Sequence, residues 1–114
     1  MRIVSTLDIH SYGRDTPELR VALDNLHRFV RAGGRVAYGT DLGNGPIPPG
    51  IDVREASLLA EAGLGLDGVL QAMTDRPLDA GRRADLIASA EDPRDGLDAF
   101  GRLVLVVRAG RVVQ

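Results

Sequence analysis

The first part of the chain has a pattern of apolar residues that predicts a strand, a helix and a second strand. Residues 2–9 are rich in β-branched types and contain neither Gly nor Pro, which predicts a strand. Residues 17–32 begin with a proline, follow an N-cap candidate at Asp15 or Thr16, and precede two glycines, which predicts a helix. Residues 35–41 predict the second strand, and this order favours parallel pairing through a right-handed crossover. The predicted helix has one apolar stripe at helical spacing, formed by Leu19, Ala22, Leu23, Leu26, Phe29 and Val30.

The middle of the chain predicts a shaped loop followed by two helices. Residues 42–50 contain three Gly and three Pro, so we expect a loop with restrained φ angles rather than a flexible linker. Asp52 and Glu55 resemble a capping box with Asp in the capping role. The helix that they begin is predicted to stop at Gly63, and a second helix is predicted over residues 66–73.

The last part of the chain predicts a β segment. Residues 75–83 are polar and rich in turn formers, and residues 84–88 predict a short strand. Residues 103–107 and 111–113 are runs of Val and Leu on either side of a tight turn at 108–110 that contains a glycine. This pattern is typical of a β-hairpin.

Asp41 is the first candidate for chemistry. A carboxylate at the C-terminal tip of a parallel strand lies where α/β folds have their active sites, and residues 42–50 would then shape a pocket beside it. The alternative is that Asp41 starts a polar turn, caps the backbone of Gly43 or Asn44, and is followed by a loop that only covers the core. His10 follows the first strand and is either a ligand or acid–base group on the side of Asp41, or a loop histidine. Candidate substrate-binding residues are therefore His10, Gly43 and Asn44.

Composition limits the kinds of site that the chain can build. It is 114 residues long, which is one domain or a piece of a larger one, and 44% of its residues are apolar and 26% charged. There is no Cys, which excludes a disulfide frame and a thiolate metal site. There is no Lys, which excludes Schiff-base, P-loop and carboxylated lysines. Of the two His, His27 is expected on the surface of its helix, so a histidine-rich metal site would need residues from elsewhere.

Charge and hydropathy bear on partners and compartment. The net charge of −2 does not favour a nucleic acid as the main partner. No apolar run approaches the roughly 20 residues that a transmembrane helix needs, and the first residues lack the apolar stretch of a signal peptide. We therefore expect a cytoplasmic protein that does not bind membranes.

Three motifs occur in an order that is known from one superfamily. They are Gly39-Thr40-Asp41, then Ala80-Gly81-Arg82-Arg83-Ala84-Asp85-Leu86, and finally Val107-Arg108-Ala109-Gly110-Arg111-Val112-Val113. With the helices between them, they make nearly the whole chain resemble the C-terminal part of the metal-dependent amidohydrolase superfamily, in its imidazolonepropionase- and prolidase-like branch.

The resemblance implies a fold. It makes the chain an α/β protein: the last βαβα part of a (β/α)8 barrel, followed by a short C-terminal β segment with a hairpin. Residues 2–9 would be strand seven of the barrel and residues 35–41 strand eight. Residues 1–79 would then form the partial barrel end, and residues 80–114 a segment of a β-sandwich.

The resemblance also implies a reaction. Asp41 matches the strand-eight aspartate of the family, which ligates a divalent metal, usually Zn²⁺, and takes a proton from the metal-bound water. It then passes the proton to the leaving nitrogen as a C–N bond is hydrolysed in a small, non-peptide or dipeptide substrate. Catalytic and metal-binding roles are both expected for Asp41.

The chain lacks the other parts of that site. The His-x-His pair of the first strand, the lysine or glutamate ligand and the histidines of strands five and six are absent, and one aspartate cannot hold a hydrolytic Zn²⁺. We therefore expect the chain to be inactive alone and to be completed by the rest of the barrel, whether its own N-terminal part or another chain. Two alternatives remain: a catalytically inactive domain that self-associates, and a small α/β binding module that works without a metal.

Overall fold

The computed structural model describes residues 1–74 and 79–114, and it divides the chain into two compact units, residues 1–74 and 75–114. The first unit contains a parallel sheet with helices, and the second an antiparallel sheet of three strands. The α/β class is therefore confirmed. Part of the predicted polar stretch at 75–83 lies outside the described residues.

The first unit begins with the predicted strand–helix–strand arrangement. Strand β1 (Arg2–Ser5) and strand β2 (Arg35–Tyr38) pair in parallel, with Ile3 opposite Val36, and helix α1 (Pro17–Arg31) connects them. The α1 N-cap is Thr16, whose side-chain oxygen accepts a hydrogen bond from the Leu19 amide at 3.1 Å. The predicted parallel pairing and helix bounds are confirmed.

Both predicted strands of this unit are too long. β1 ends at Ser5, and residues that were expected to continue it form a 3₁₀ turn over Asp8–His10. The Asp8 carboxylate accepts hydrogen bonds from side chain and backbone within the next five residues, which favours a turn over an extended chain. β2 ends at Tyr38 rather than at Asp41, since Asp41 has a φ of 53°, outside the range of a strand.

Two helices follow the second strand. Helix α2 (Val53–Leu59) is capped by Asp52, whose carboxylate accepts from the amides of Arg54 and Glu55. A π-type turn at Ala60–Leu64 leads into helix α3 (Gly65–Met73). The chain kinks at Gly63, where φ is 104°, so the predicted break between the helices is confirmed. The core of this unit is apolar and includes Leu19, Leu26, Ala56, Leu58, Leu59, Ala62, Val69 and Ala72.

The second unit is a sheet in the order β3 (Leu86–Ser89), β4 (Leu103–Arg108), β5 (Arg111–Val112), and all its neighbours are antiparallel. The hairpin between β4 and β5 is confirmed, and its turn has φ of 51° at Ala109 and 78° at Gly110. Strand β3 is shifted towards the C-terminus of the predicted 84–88. A 3₁₀ helix that the apolar pattern did not predict buries Leu97, Ala99 and Phe100.

Within the described ranges, none of the helices has both the length and the apolar character that crossing a membrane requires.

Candidate functional site

Two loops leave the C-terminal ends of the parallel strands. The β1 exit loop (residues 6–16) follows Ser5, and the β2 exit loop (residues 39–51) follows Tyr38. Because parallel strands end at the same edge of a sheet, both loops start on the same side of the first unit. The four residues predicted to form the site lie on these loops: His10 on the first, and Asp41, Gly43 and Asn44 on the second.

Asp41 and Asn44 form a turn in the β2 exit loop. The Asn44 amide donates to the Asp41 carbonyl at 3.1 Å, and the Asn44 side-chain amide donates to Asp41 Oδ2 at 3.1 Å. Asp41 therefore starts a polar turn, as in the alternative reading, but its carboxylate contacts a side chain and not the backbone. The residue is exposed, so its carboxylate is open to a ligand from solvent.

The other two candidates are also on the surface. Gly43 has a φ of 94°, which suits a glycine in this turn. The His10 side chain is exposed, and its carbonyl accepts a hydrogen bond from Thr16 Oγ1 at 2.7 Å. Across the described residues no hydrogen bond joins His10 to Asp41. Their roles in substrate binding stay a prediction.

Glu55 is a buried acid that the sequence reasoning did not place in the site. Its side chain is 1% exposed and crosses from α2 to the end of β1, where it accepts from Ser5 Oγ at 3.2 Å and from the Asp8 amide at 2.7 Å. Burial raises the pKa of the Glu55 carboxyl, although hydrogen bonds from the Leu7 and Asp8 amides and from Ser5 act in the opposite direction. Its main effect is to hold the β1 exit loop against α2.

Asp8 is the second acid at this end of the sheet. Its Oδ1 accepts from Ser11 Oγ at 2.7 Å, from the Gly13 amide at 2.9 Å and from Arg54 Nε at 2.9 Å. Burial opposes its ionisation, but the hydrogen bonds from Ser11, Gly13 and Arg54 outweigh this effect and lower the pKa of the Asp8 carboxyl. Asp8 is thus an ionised anchor, and Arg54 also donates to the Arg14 carbonyl at 3.0 Å.

Tyr38 connects the two ends of the β2 exit loop. Its hydroxyl accepts from the Asp52 amide at 2.7 Å and donates to the Asp52 carbonyl at 3.3 Å. Tyr38 is half-buried, and this burial raises its pKa to about 12. The expected capping box is therefore wrong in its Glu half, because the Asp52 amide bonds to Tyr38 rather than to Glu55.

The two exit loops also meet at an aromatic ring. A Cβ atom built on Gly45 would lie 2.6 Å from Cε1 of Tyr12 and 2.7 Å from its hydroxyl oxygen. The Tyr12 ring therefore lies directly against the Gly45 backbone, where only a glycine leaves room for it. No sequence signal indicated this contact, since it joins residues more than thirty positions apart.

The side chains that could ligate a metal ion bear on whether the described residues could hold one by themselves. Among residues 1–74 and 79–114, no three or more His, Cys, Asp or Glu side chains cluster closely enough to hold a metal ion. Asp41 fits as one carboxylate ligand because it is exposed, but a hydrolytic zinc site takes three protein ligands. The further ligands would have to come from other residues.

Comparison with known proteins gives a likeness of fold. No family model matches the chain, and no curated protein matches its sequence. Its structure is similar to the crystal structure of A. niger ochratoxinase, with a TM-score of 0.69 and 20% sequence identity. The similarity covers 100% of this chain and 32% of that one, so the chain spans about a third of the length of the ochratoxinase. At 20% identity, this similarity shows a shared fold.

Proposed function

We propose that this chain is the C-terminal segment of a metal-dependent hydrolase of the amidohydrolase type, which cleaves C–N bonds in small non-peptide or dipeptide substrates. In this role it contributes Asp41 to a site that other residues complete. The observation that carries the proposal is the exposed Asp41 carboxylate on the loop that leaves the C-terminal end of a parallel strand, in a chain whose whole length matches part of the ochratoxinase fold. The C-terminal side of parallel strands is where such folds carry out chemistry.

The parallel sheet supports completion by further strands. Its order is β1-β2 only, so within the described part of the chain each strand has one edge without a strand partner. Parallel sheets are nearly always larger and are covered on both faces, yet Val4 of β1 is 68% exposed. We infer that these strands correspond to strands seven and eight of a barrel, and that the missing strands come from the protein's own N-terminal part or from another chain.

The three-stranded sheet supports the same reading. Ile87 of β3 lies opposite Val106 of β4, and Val104 lies where the register between the two strands shifts. Ile87 is 45% exposed and Val104 is 62% exposed. Exposed apolar side chains on neighbouring strands are typical of one sheet of a β-sandwich, which packs against a second sheet.

Asp41 would act as a ligand and as a proton acceptor in the completed site. A bound Zn²⁺ or another divalent ion would supply an activated water, because it lowers the pKa of that water to about 7. The Asp41 carboxylate would receive the proton and later return it to the leaving nitrogen. Asn44 holds one oxygen of this carboxylate, and His10, Gly43 and Asn44 are proposed to face a small-molecule substrate.

The test is to build the completed protein. The sequence encoded upstream of this chain would be joined to it or co-expressed with it, and zinc content and amide hydrolysis would be measured with the Asp41→Asn variant as a comparison. We expect bound zinc and turnover, with turnover lost in the variant while the far-ultraviolet spectrum is retained. Wild-type turnover in Asp41→Asn would remove this residue from the mechanism, and an upstream sequence without metal ligands would overturn the hydrolase proposal.

A second candidate is a catalytically inactive domain that self-associates. The unpaired strand edges and the exposed Val4, Ile87 and Val104 favour it, because pairing of edges between copies would cover them. The mass of the 114-residue chain in solution distinguishes the two candidates. A defined oligomer that neither binds zinc nor cleaves amides favours self-association, whereas a chain that associates only with its upstream part favours the hydrolase.

A further inference from the structure

The β2 exit loop is closed at its base by one side chain, and we propose that Tyr38 is a positioning residue that fixes this loop and the direction of Asp41. The inference rests on the proposed function, since it assigns Tyr38 a role through Asp41. Tyr38 does not itself belong to the reacting groups. Its role follows from the contacts of the loop ends, of the loop interior and of Asp41.

The closure joins residues that are distant in the chain but adjacent in the fold. Tyr38 is the last residue of β2 and Asp52 is the cap of α2, and their hydrogen bonds span 14 positions. The Tyr38 hydroxyl uses both of its functions on one residue, accepting from the Asp52 amide and donating to the Asp52 carbonyl. Since the pKa of Tyr38 is raised to about 12, the hydroxyl keeps its proton across the pH range of most enzymes.

The far end of the closure is itself rigid. Asp52 is held by the amides of Arg54 and Glu55, which its carboxylate caps. Glu55 in turn is fixed to the last residue of β1 through Ser5 Oγ at 3.2 Å and to the β1 exit loop through the Asp8 amide at 2.7 Å. The β2 exit loop starts directly after β2, and its other end is connected to the parallel sheet through α2. Both ends are therefore fixed relative to this sheet.

The loop interior has two further contacts that limit its movement. Ile47 is 8% exposed and belongs to the buried residues of the chain. Gly45 lies against the Tyr12 ring of the neighbouring exit loop. With its base closed and its middle held, the loop has little freedom to change the position of Asp41.

Asp41 needs such support because of its backbone. Its φ of 53° is in the left-handed region, which Asp adopts more readily than most residues with a side chain but still at a cost in free energy that the surroundings offset. The local turn with Asn44 contributes, but this turn is exposed and consists of two hydrogen bonds. Closure of the loop base by Tyr38 supplies a non-local part of the constraint, in addition to the contacts of Ile47 and Gly45.

The first test uses the 114-residue chain and two variants that each lose one hydroxyl. Tyr38→Phe keeps the ring and removes the hydroxyl, and Ser89→Ala removes a hydroxyl of the second unit that donates to the Glu91 carbonyl. Amide hydrogen exchange would be followed by nuclear magnetic resonance. In Tyr38→Phe we expect the Asp52 and Asn44 amides to exchange about five- to tenfold faster, with α1 amides unchanged. Ser89→Ala should leave these rates unchanged.

A purely structural role would give a different result. If Tyr38→Phe accelerated exchange equally in α1 and in the β2 exit loop, the hydroxyl would stabilise the unit as a whole and the positioning role would be wrong. If the exchange of the Asn44 amide were unchanged, the loop would not depend on the closure, and the inference would also fall.

The second test separates this inference from the proposed function. In the completed hydrolase, Tyr38→Phe is expected to lower kcat by about ten- to a hundredfold with little change in KM. The reason is that a misplaced Asp41 carboxylate slows the chemical step but does not weaken substrate binding. If Asp41→Asn abolishes turnover and Tyr38→Phe leaves kcat unchanged, the positioning role fails alone. If Asp41→Asn has wild-type turnover, the proposed function is wrong, whatever exchange rates are measured for the loop.

Discussion

Glu55 offers a prediction whose size follows from its surroundings. The side chain is 1% exposed, and it is the acceptor for the Asp8 amide at 2.7 Å and for the Ser5 hydroxyl at 3.2 Å. Glu55→Ala would leave the Asp8 amide without its acceptor and would leave a cavity beside α2, where the Glu55 side chain was buried. An unsatisfied buried amide costs about 1–3 kcal/mol, and relief of the buried carboxyl offsets part of the total. We expect the free energy of unfolding to fall by about 2–3 kcal/mol at pH 7.

Glu55→Gln is the matched control. Its amide oxygen can accept from the Asp8 amide, and its NH₂ group can donate to Ser5 Oγ, because a hydroxyl both donates and accepts. The free energy of unfolding should therefore change by no more than about 1 kcal/mol. Urea unfolding followed by circular dichroism at 222 nm is suitable, since α1, α2 and α3 all belong to the first unit.

The pH dependence of the free energy of unfolding is an independent test, because the direction of the change can be predicted. The pKa of Glu55 is raised above its ordinary value of 4.5, so in a window above pH 4.5 the native state keeps a proton that the unfolded state has lost. Stability should therefore decrease as pH rises through this window, by at most about 1.4 kcal/mol per pH unit. The difference between wild type and Glu55→Gln should show this decrease, because the other titrating groups cancel. Equal stability of Glu55→Ala and Glu55→Gln would refute the account of Glu55. An increase with pH in the stability of wild type relative to Glu55→Gln would also refute it.

Two further predictions concern the loops and the first helix. Gly45→Ala should destabilise the first unit by about 1–2 kcal/mol, because φ is 77° there and the new methyl group would meet Tyr12. In a Tyr12→Ala background the steric part of this cost should disappear. If urea unfolding showed that the costs of the two single variants simply add in the double variant, the contact would be contradicted. Thr16→Ala should cost about 1 kcal/mol through loss of the cap on the Leu19 amide, whereas Thr16→Ser should be nearly neutral, and equal thermal midpoints for the two variants would rule out the capping role.

Local rules predicted the parts of the fold that depend on nearby residues. Thr16 and Pro17 mark the start of α1, Asp52 caps α2, and Gly63 breaks the chain between helices. Each of these residues acts on backbone groups within a few positions, so the pattern of residue types is sufficient. The hairpin at Gly110 is of the same kind.

The end of β1 was harder to predict because a distant residue contributes to it. The β-branched pattern of residues 2–9 continues past Ser5, but Asp8 is bound by Arg54 from 46 positions away, which helps to hold the chain in a turn. A pattern of residue types does not contain such a tertiary contact. The end of β2 is different, because Asp41 forms its turn with Asn44, three positions away, and the alternative of a polar turn at Asp41 was open from the sequence.

The candidate site was predicted in part for the same reason. Its loops followed from the strand order and from the Gly-Thr-Asp motif that ends at Asp41. Glu55 resembled a capping residue because Asp52 stands three positions before it, and only the fold brings its carboxylate to Ser5. The closure by Tyr38 likewise depends on the distance between β2 and the start of α2 in space.

The central claim is that the Asp41 carboxylate takes part in hydrolysis within a completed protein. Its most direct test is kcat for amide hydrolysis by the zinc-loaded protein that contains this chain and its upstream part, compared between wild type, Asp41→Asn and Asp24→Asn, whose carboxylate lies in an exposed ion pair with Arg28 on α1. We predict that Asp41→Asn lowers kcat at least about a hundredfold, as expected for loss of a proton-transfer group, and that Asp24→Asn leaves it unchanged. Equal kcat values for all three proteins would contradict the claim.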